Sequence, residues 1–142
     1  MQTMFECLEG RRLMANPHFV VGPTFTDDGT TLTSTGYIAG LGNEDVTVVL
    51  DATGTATIIG VNPAGKVAPG QTREVNVSGE QTITDVKNGR VNFSVTTIAP
   101  TAPADALPNP KWTPIVTNVD FSSATLTVEQ GGEVVLTETT EL

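Results

Sequence analysis

The alternation of apolar and polar residues over positions 46–50 constrains this chain more than any other feature. The segment reads Val-Thr-Val-Val-Leu, with apolar residues at its first, third and fifth positions. Such a two-residue period is typical of a β-strand with one buried face. A second run of this kind, 55–59, follows the turn-forming residues 51–54, which predicts a central β-hairpin. Because a lone hairpin is only marginally stable in water, we expect a second layer against it.

Comparable signals continue along the chain. Residues 81–86 and 90–95 flank Lys87-Asn88-Gly89, and Asn-Gly is a strong signal for a hairpin turn. Residues 99–110 contain four prolines. A linker to a second domain is one interpretation of that segment, but we favour a crossover loop between two sheets of one domain.

The last third of the chain carries a change of pattern. Ile115, Thr117, Val119 and Phe121 would share one inward face, whereas the apolar residues after 122–123 fall on even positions. A change of one residue turns every following side chain to the other face, so a β-bulge or a corner is predicted at Ser122-Ser123. Residues 138–142 are expected to fray.

These segments predict an all-β protein, an antiparallel β-sandwich of about eight to ten short strands. A partly open β-barrel is the alternative, because periodicity does not distinguish a closed sheet from two facing sheets. We divide the chain into a leader, residues 1–17, which is a short helix or disordered, and a single domain, residues 18–142.

Composition excludes several classes of function. The chain has 142 residues, a formal net charge of -9 and a pI near 4.3, so it offers no basic patch for nucleic acid. The single Cys7 excludes an internal disulfide and a multi-thiolate metal site. No apolar run approaches the roughly 20 residues of a transmembrane helix.

The leader resembles a known targeting motif. Seven of its residues match the longer form of the N-terminal Leu-Glu-Pro-Arg-x-Leu-Leu motif, which is common in large surface and extracellular proteins of planctomycete-type bacteria. They are Phe5, Glu6, Leu8, Glu9, Arg11, Leu13 and Ala15. Gly10 stands where Pro or Asp is usual, and Met14 replaces a Leu. The resemblance implies a sorting tag and an extracellular or cell-surface location; a leader without an address is the alternative.

The body of the chain is similar to small secreted bacterial β-domains that have no assigned role. The similarity lies in Gly-Leu-Gly-Asn at 40–43, Asn-Pro-x-Gly at 62–65, Ala-Pro-Gly-Gln at 68–71 and Pro-Asn-Pro-x-Trp-Thr at 108–113. Such domains would carry a cysteine just before each Asn-Pro element, where this chain has Val61 (or Gly60) and Leu107. The resemblance therefore implies an apolar contact between these positions in place of a disulfide.

Motifs of enzymes are missing from the sequence. It contains no Gly-x-Ser-x-Gly, no His-Glu-x-x-His and no phosphate-binding Gly-rich loop. His18 is the only histidine, and we interpret it as a solvated or packing residue rather than a general base. We therefore predict a protein that is not an enzyme and has no cofactor.

Acidic residues offer the remaining candidates for a metal site. Asp27, Asp28, Glu44 and Asp45 could supply oxygen ligands to Ca²⁺, although their spacing is not that of a dedicated calcium loop. Turn chemistry and solubility explain the same residues without a metal.

Trp112 is a candidate binding residue because it lies between Pro110 and Pro114 at the end of the Pro-rich loop. Its large ring could contact a protein or glycan partner, or could close the open end of the sandwich.

Together these features predict a non-catalytic exported or cell-surface β-sandwich with a structural or adhesive role. The alternative is a small calcium- or glycan-binding module that uses its loop ends. The partner and the oligomeric state stay open.

Overall fold

The structure is a computed structural model that describes residues 16–103 and 105–142. These residues form strands, turns and loops and no helix, so none of them belongs to a helix that could cross a bilayer. The motif residues from Phe5 to Ala15 lie outside the described residues, and so does Cys7.

Within the described residues, seven strands form two antiparallel sheets, and the predicted β-sandwich is confirmed. The strands are β1 (His18–Asp27), β2 (Leu32–Ala39), β3 (Val46–Val61), β4 (Val67–Ile83), β5 (Val91–Thr96), β6 (Thr113–Gln130) and β7 (Glu133–Glu141). The smaller sheet has the order β1-β2-β5, and the larger sheet has the order β4-β3-β6-β7. The sheets do not close on each other, so the barrel alternative is wrong.

The predicted central hairpin is wrong, because β3 continues through Asp51 and Gly54 as one strand of 16 residues. It pairs with β4 along one edge and with β6 along the other over almost its whole length. Backbone partners on both sides stabilise the extended conformation over a local turn of the same residues. The sandwich accordingly has fewer and longer strands than predicted, with 16 to 18 residues in β3, β4 and β6.

The turn at Asn88-Gly89 is confirmed, but the hairpin around it is wrong. Both residues have positive φ, 55° for Asn88 and 67° for Gly89, as a tight turn requires. The strands that it joins belong to different sheets, β4 to the larger and β5 to the smaller. A turn sequence therefore set the local backbone conformation without determining the strand pairing.

The bulge predicted in β6 is confirmed. Thr53 pairs with Ser123 and Gly54 with Phe121, so Ser122 is the extra residue. The shared face predicted for Ile115 and Thr117 with Val119 is wrong, because a second register shift places Thr117 between the paired residues Val116 and Asn118 and leaves both predicted residues exposed.

The C-terminal residues are paired, contrary to the predicted fraying. Strand β7 extends to Glu141, which pairs with Ser123 of β6. The amide of Leu142 also donates to the carbonyl of Ser122, at 2.9 Å. Backbone hydrogen bonds therefore continue to the last residue.

The two sheets face each other over only part of the larger sheet. In the turn between β1 and β2, the carbonyl of Gly29 accepts from the amide of Val119, at 2.8 Å. Because Val119 pairs with Ala56 of β3, the smaller sheet ends level with Ala56. We call the part of the molecule from this level to Val46 the two-sheet region. Its continuous core consists mainly of Leu32, Ile38, Val46, Val48, Leu50, Phe93, Val95, Leu126 and Val128.

Beyond that level lie residues 57–61, 67–72 and 113–118 of the larger sheet, and we call this part the loop-covered region. Ala106, Leu107 and Trp112 of the Pro-rich segment 97–112 lie against it at Gly60 and Gln71. The segment connects β5 of the smaller sheet to β6 of the larger one, which confirms the predicted crossover. Ala106 of the segment and Ile58 of β3 are buried. The side-chain amide of Gln71 donates to the carbonyl of Ala106 and holds the segment in place.

Candidate functional site

Asp27 and Asp28 lie in the turn between β1 and β2, where each stabilises the turn itself. The Asp27 carboxylate accepts from the amide of Gly29, at 2.8 Å, and the Asp28 carboxylate accepts from the hydroxyl of Thr33, at 2.7 Å. The first bond is an Asx-turn, the local arrangement that aspartate favours. Turn chemistry therefore explains both residues.

Glu44 and Asp45 lie beyond the other end of β2, in the loop that leads into β3. The side chain of Gln130 fastens this loop, because it accepts from the amide of Gly42 and donates to the carbonyls of Gly42 and Glu44, each at 2.8 Å. The four acidic candidates therefore form two separate pairs at the two ends of β2. In the part of the chain that the structure describes, no three His, Cys, Asp or Glu side chains form a group that could hold a metal ion.

His18 is exposed at the start of β1, and its Nδ1 donates to the carbonyl of Asn16 at 2.8 Å. The Asp27-Asp28 turn lies at the other end of the same strand. The structure thus places the only histidine at the opposite end of β1 from Asp27 and Asp28, beside Ala39 at the end of β2.

Trp112 is half-buried in the loop-covered region, against the backbone of β3. A Cβ atom at Gly60 would lie 3.1 Å from Cε3 of Trp112 and 2.9 Å from Cδ1 of Leu107. Both side chains therefore occupy the space that Gly60 leaves open. The indole of Trp112 and the side chain of Leu107 thus both pack on the backbone of β3 at Gly60.

A shallow depression of about 500 Å³ lies over Gly36 on the outer face of the smaller sheet. Val21, Tyr37 and Asn92 line it, and they are direct neighbours on β1, β2 and β5. An exposed aliphatic side chain, a phenol and an amide could contact the apolar face and the hydroxyl groups of a sugar. Sequence reasoning missed this site. The available signal was the only tyrosine, placed next to a glycine inside a predicted strand.

A second depression, of about 230 Å³, lies on the outer face of the larger sheet, beside the bulge at Ser122. Small polar side chains line it, namely Asp51, Thr53, Asn76, Ser78, Ser123 and Thr125. The Thr53 hydroxyl donates to the side-chain oxygen of Asn76 at 2.8 Å, and the Ser122 hydroxyl donates to the carbonyl of Thr53 at 3.2 Å. These groups thus bond to one another, and they brace the bulge.

Threonine hydroxyls pair across neighbouring strands on the outer faces of both sheets. Each pair joins residues that are directly opposite in the register. The pairs are Thr24 with Thr35 at 2.7 Å, Thr33 with Thr96 at 2.9 Å, Thr125 with Thr139 at 3.2 Å and Thr47 with Thr82 at 3.4 Å. Cross-strand pairs of this kind stabilise the sheets.

Comparisons with known proteins define no family for this chain. No family model matches the sequence. No curated protein matches it either.

Two solved structures have a partial likeness to this chain. One is a "putative beta-galactosidase" from Bacteroides fragilis, with 11% identity and a TM-score of 0.32 over 93% of this chain and 16% of that chain. The other is a β-glucuronidase from Bacteroides uniformis, with 14% identity and a TM-score of 0.31 over 91% of this chain and 13% of that chain. This chain thus spans less than a fifth of either protein. Structural similarity at TM-scores this low does not indicate a function for this chain.

Proposed function

We propose that this chain is a non-catalytic exported or cell-surface β-sandwich domain with a structural or adhesive role. The observation that carries the proposal is the pairing of outward threonines with one another across both sheets. Each such hydroxyl bonds to its neighbour, which strengthens the sheet. A surface of this kind favours mechanical stability over chemistry.

The acidic composition supports the same proposal. A net charge of -9 keeps a domain soluble in an aqueous environment. The location outside the cytoplasm rests on the resemblance of residues 5–15 to a surface-targeting motif.

Fractionation of the native host cells tests the location. Mass spectrometry of each fraction should detect peptides of residues 18–142 in the surface or culture fraction, and should show whether residues 1–15 have been removed. A double variant, Arg11→Ala with Leu13→Ala, should accumulate inside the cell, and Gln2→Ala, outside the motif, is the matched control. Detection of the wild-type chain in the cytoplasm alone would contradict the proposal.

A glycan-binding module is the second candidate, and the depression at Tyr37 is the observation that favours it. The site differs from the loop ends that the sequence pointed to, because Trp112 packs on Gly60 and the acidic residues are divided between two ends of β2. The flat open shape of the depression fits the side of an extended polysaccharide better than a small buried ligand.

A panel of immobilised polysaccharides tests this candidate. Binding by the wild-type domain should fall at least about tenfold in Tyr37→Ala, since an aromatic ring at the centre of a site contributes about 2 kcal/mol or more. Tyr37→Phe, which keeps the ring, should retain most of the binding. No retention on any member of the panel would leave the structural role as the sole proposal.

A further inference from the structure

An apolar patch lies on the outer face of the larger sheet, at the end where β3 finishes. Its members are Ile59, Val61, Val67 and Ile115, and we call them the outer patch. Ile59 pairs directly with Ile115, and Val61 pairs directly with Val67. Four β-branched side chains on three neighbouring strands therefore form one continuous surface.

The outer patch differs from the row of residues beside it on the same face. Val67 is 63% exposed and Ile115 is 42% exposed. The adjacent row on this outer face, toward the middle of the sheet, is polar and consists of Thr72, Thr57 and Asn118. The outward positions Asp51, Thr53 and Thr55 of β3 are polar as well. Among the outward positions of β3, the last two are apolar neighbours of each other, whereas the remaining apolar one, Val49, lies apart from them near the start of the strand.

The strand is apolar on both faces at this end, as it also is at Val48-Val49-Leu50. Ile58 points inward and is buried, whereas Ile59 points outward. A strand segment that is apolar on both faces is typical of a sheet with a cover on each side. The Pro-rich segment 97–112 covers the inner face here, and the outer face has no cover from the described residues. An exposed patch of this kind marks an interaction site.

The charges around the outer patch indicate what covers it. Lys66 immediately precedes Val67, and Lys111 lies two residues before Thr113, the partner of Val61. Both lysines are exposed, and neither forms an ion pair with a carboxylate among residues 16–103 and 105–142. These two cations lie just before the strands that carry Val67 and Ile115, so charge complementarity favours a partner with an acidic surface.

The opposite end of the same sheet presents such a surface. Glu44 and Asp45 precede β3, while Glu129 and Glu133 flank the turn between β6 and β7. Gln130 pairs with both Val46 and Glu133, which brings these carboxylates to one end of the molecule. Lys87 and Arg90 lie at the same end, because the amide of Leu41 donates to the carbonyl of Gly89, but together with Asp85 the carboxylates there outnumber the cations. Val134, 58% exposed, adds an apolar side chain there. We call this the acidic end.

We propose that the outer patch of one copy binds the acidic end of a second copy, so that copies of this domain associate head to tail. A symmetric patch-to-patch dimer would bring four lysines together, which opposes that arrangement. A head-to-tail contact leaves one free patch and one free acidic end in every assembly, so it extends into chains of copies. Association of copies into chains is how this domain would build a structure outside the cell. The association itself does not depend on the proposed function, but its cellular role does.

Sedimentation velocity over a range of concentrations tests the association. The average sedimentation coefficient of the wild-type protein should rise continuously with concentration, and about 0.5 M NaCl should reverse the rise because salt screens exposed charges. A single monomeric species at every concentration would overturn the inference. Cell fractionation is independent of this result, since a cytoplasmic protein that assembles would contradict only the proposed function.

Substitutions locate the contact. Val67→Thr and Ile115→Thr should each raise the concentration for half-association about tenfold, as loss of a central apolar contact does. Ile98→Thr is the matched control, because Ile98 is 75% exposed and bonds to Ser78, away from the patch. An equal effect of all three substitutions would overturn the assignment of the patch. Thermal unfolding by circular dichroism should show that each variant is folded.

A mixing experiment distinguishes the head-to-tail arrangement from a symmetric one. A patch variant, Val67→Asp with Lys66→Glu, and an end variant, Glu44→Lys with Glu133→Lys, should each be monomeric alone. An equimolar mixture should form dimers and nothing larger, through the intact end of one variant and the intact patch of the other. Dimers of the end variant alone would show a symmetric contact and overturn the proposal.

Discussion

The two-sheet region and the loop-covered region bury the inner face of the same sheet in different ways. In the first, strands of the smaller sheet provide the cover, and backbone hydrogen bonds set the position of every inward side chain, such as Ile38 and Phe93. In the second, a Pro-rich segment provides the cover through Ala106, Leu107 and Trp112. Cover by a sheet is spread over many bonds, whereas cover by a loop depends on a few side chains. The loop-covered region should therefore open first.

The largest effect is expected in the two-sheet region. Leu126 is fully buried in its core, and Leu126→Ala should lower the free energy of unfolding by about 3 kcal/mol, since the deletion leaves a cavity. Urea unfolding measures this change. Thr127→Ala, at the next outward position of β6, is the control and should change stability by less than about 1 kcal/mol. A loss no greater than that of the control would contradict the existence of a packed core between the sheets.

A smaller and local effect is expected in the loop-covered region. Trp112→Ala should lower the free energy of unfolding by about 1 to 2 kcal/mol, because the indole is only half-buried. Hydrogen exchange should become faster in residues 57–61 and 113–118 and should stay unchanged in 124–128. Leu107→Ala should have the same pattern, since both side chains cover Gly60. A uniform increase in exchange would show that the two regions unfold together.

A gain of stability is expected at one position in the two-sheet region. Ser34 is buried, and its Oγ has no hydrogen-bond partner among the described residues. Ser34→Ala should therefore raise the free energy of unfolding by up to about 1 kcal/mol. The midpoint of urea unfolding should move to a higher urea concentration. Thr97→Val is the contrasting variant and should lower stability, because the buried Thr97 hydroxyl accepts from the amide of Leu32 at 3.0 Å. Destabilisation by both variants would indicate that the Ser34 hydroxyl has a partner.

Calcium should have the smallest effect. Asp27 and Asp28 lie where the two regions meet, and Glu44 and Asp45 lie at the far end of the two-sheet region. Two carboxylates at either place are too few for an ion that takes six to eight oxygen ligands. Calcium added to chelator-treated protein should leave the melting temperature unchanged. A rise that Asp28→Asn abolishes would restore the metal site as a candidate.

Local patterns predicted the parts of the fold that depend on local forces. The turn at Asn88-Gly89, the bulge at Ser122 and the crossover loop are all present. The predicted turn at 51–54 failed because β3 has a partner strand on each edge. The predicted pairing around Asn88-Gly89 failed because a turn does not specify which sheet receives the next strand.

The candidate sites were less predictable than the fold. The sequence pointed to acidic residues, of which Asp27 and Asp28 stabilise a turn, and to Trp112, which packs on Gly60. It did not indicate the depression at Tyr37 or the outer patch, because both consist of residues from three strands. Only the register of those strands brings such residues together.

The sequence by itself determined that the chain is all-β, which face of most strands is buried, and where the backbone turns. These properties follow from side-chain alternation and from residues that tolerate positive φ, and both act within a few residues. The tertiary structure decided which strands pair, that β3 crosses its predicted turn, and which exposed residues become neighbours. Those outcomes depend on hydrogen bonds and packing between segments far apart in the chain, and no short pattern encodes them.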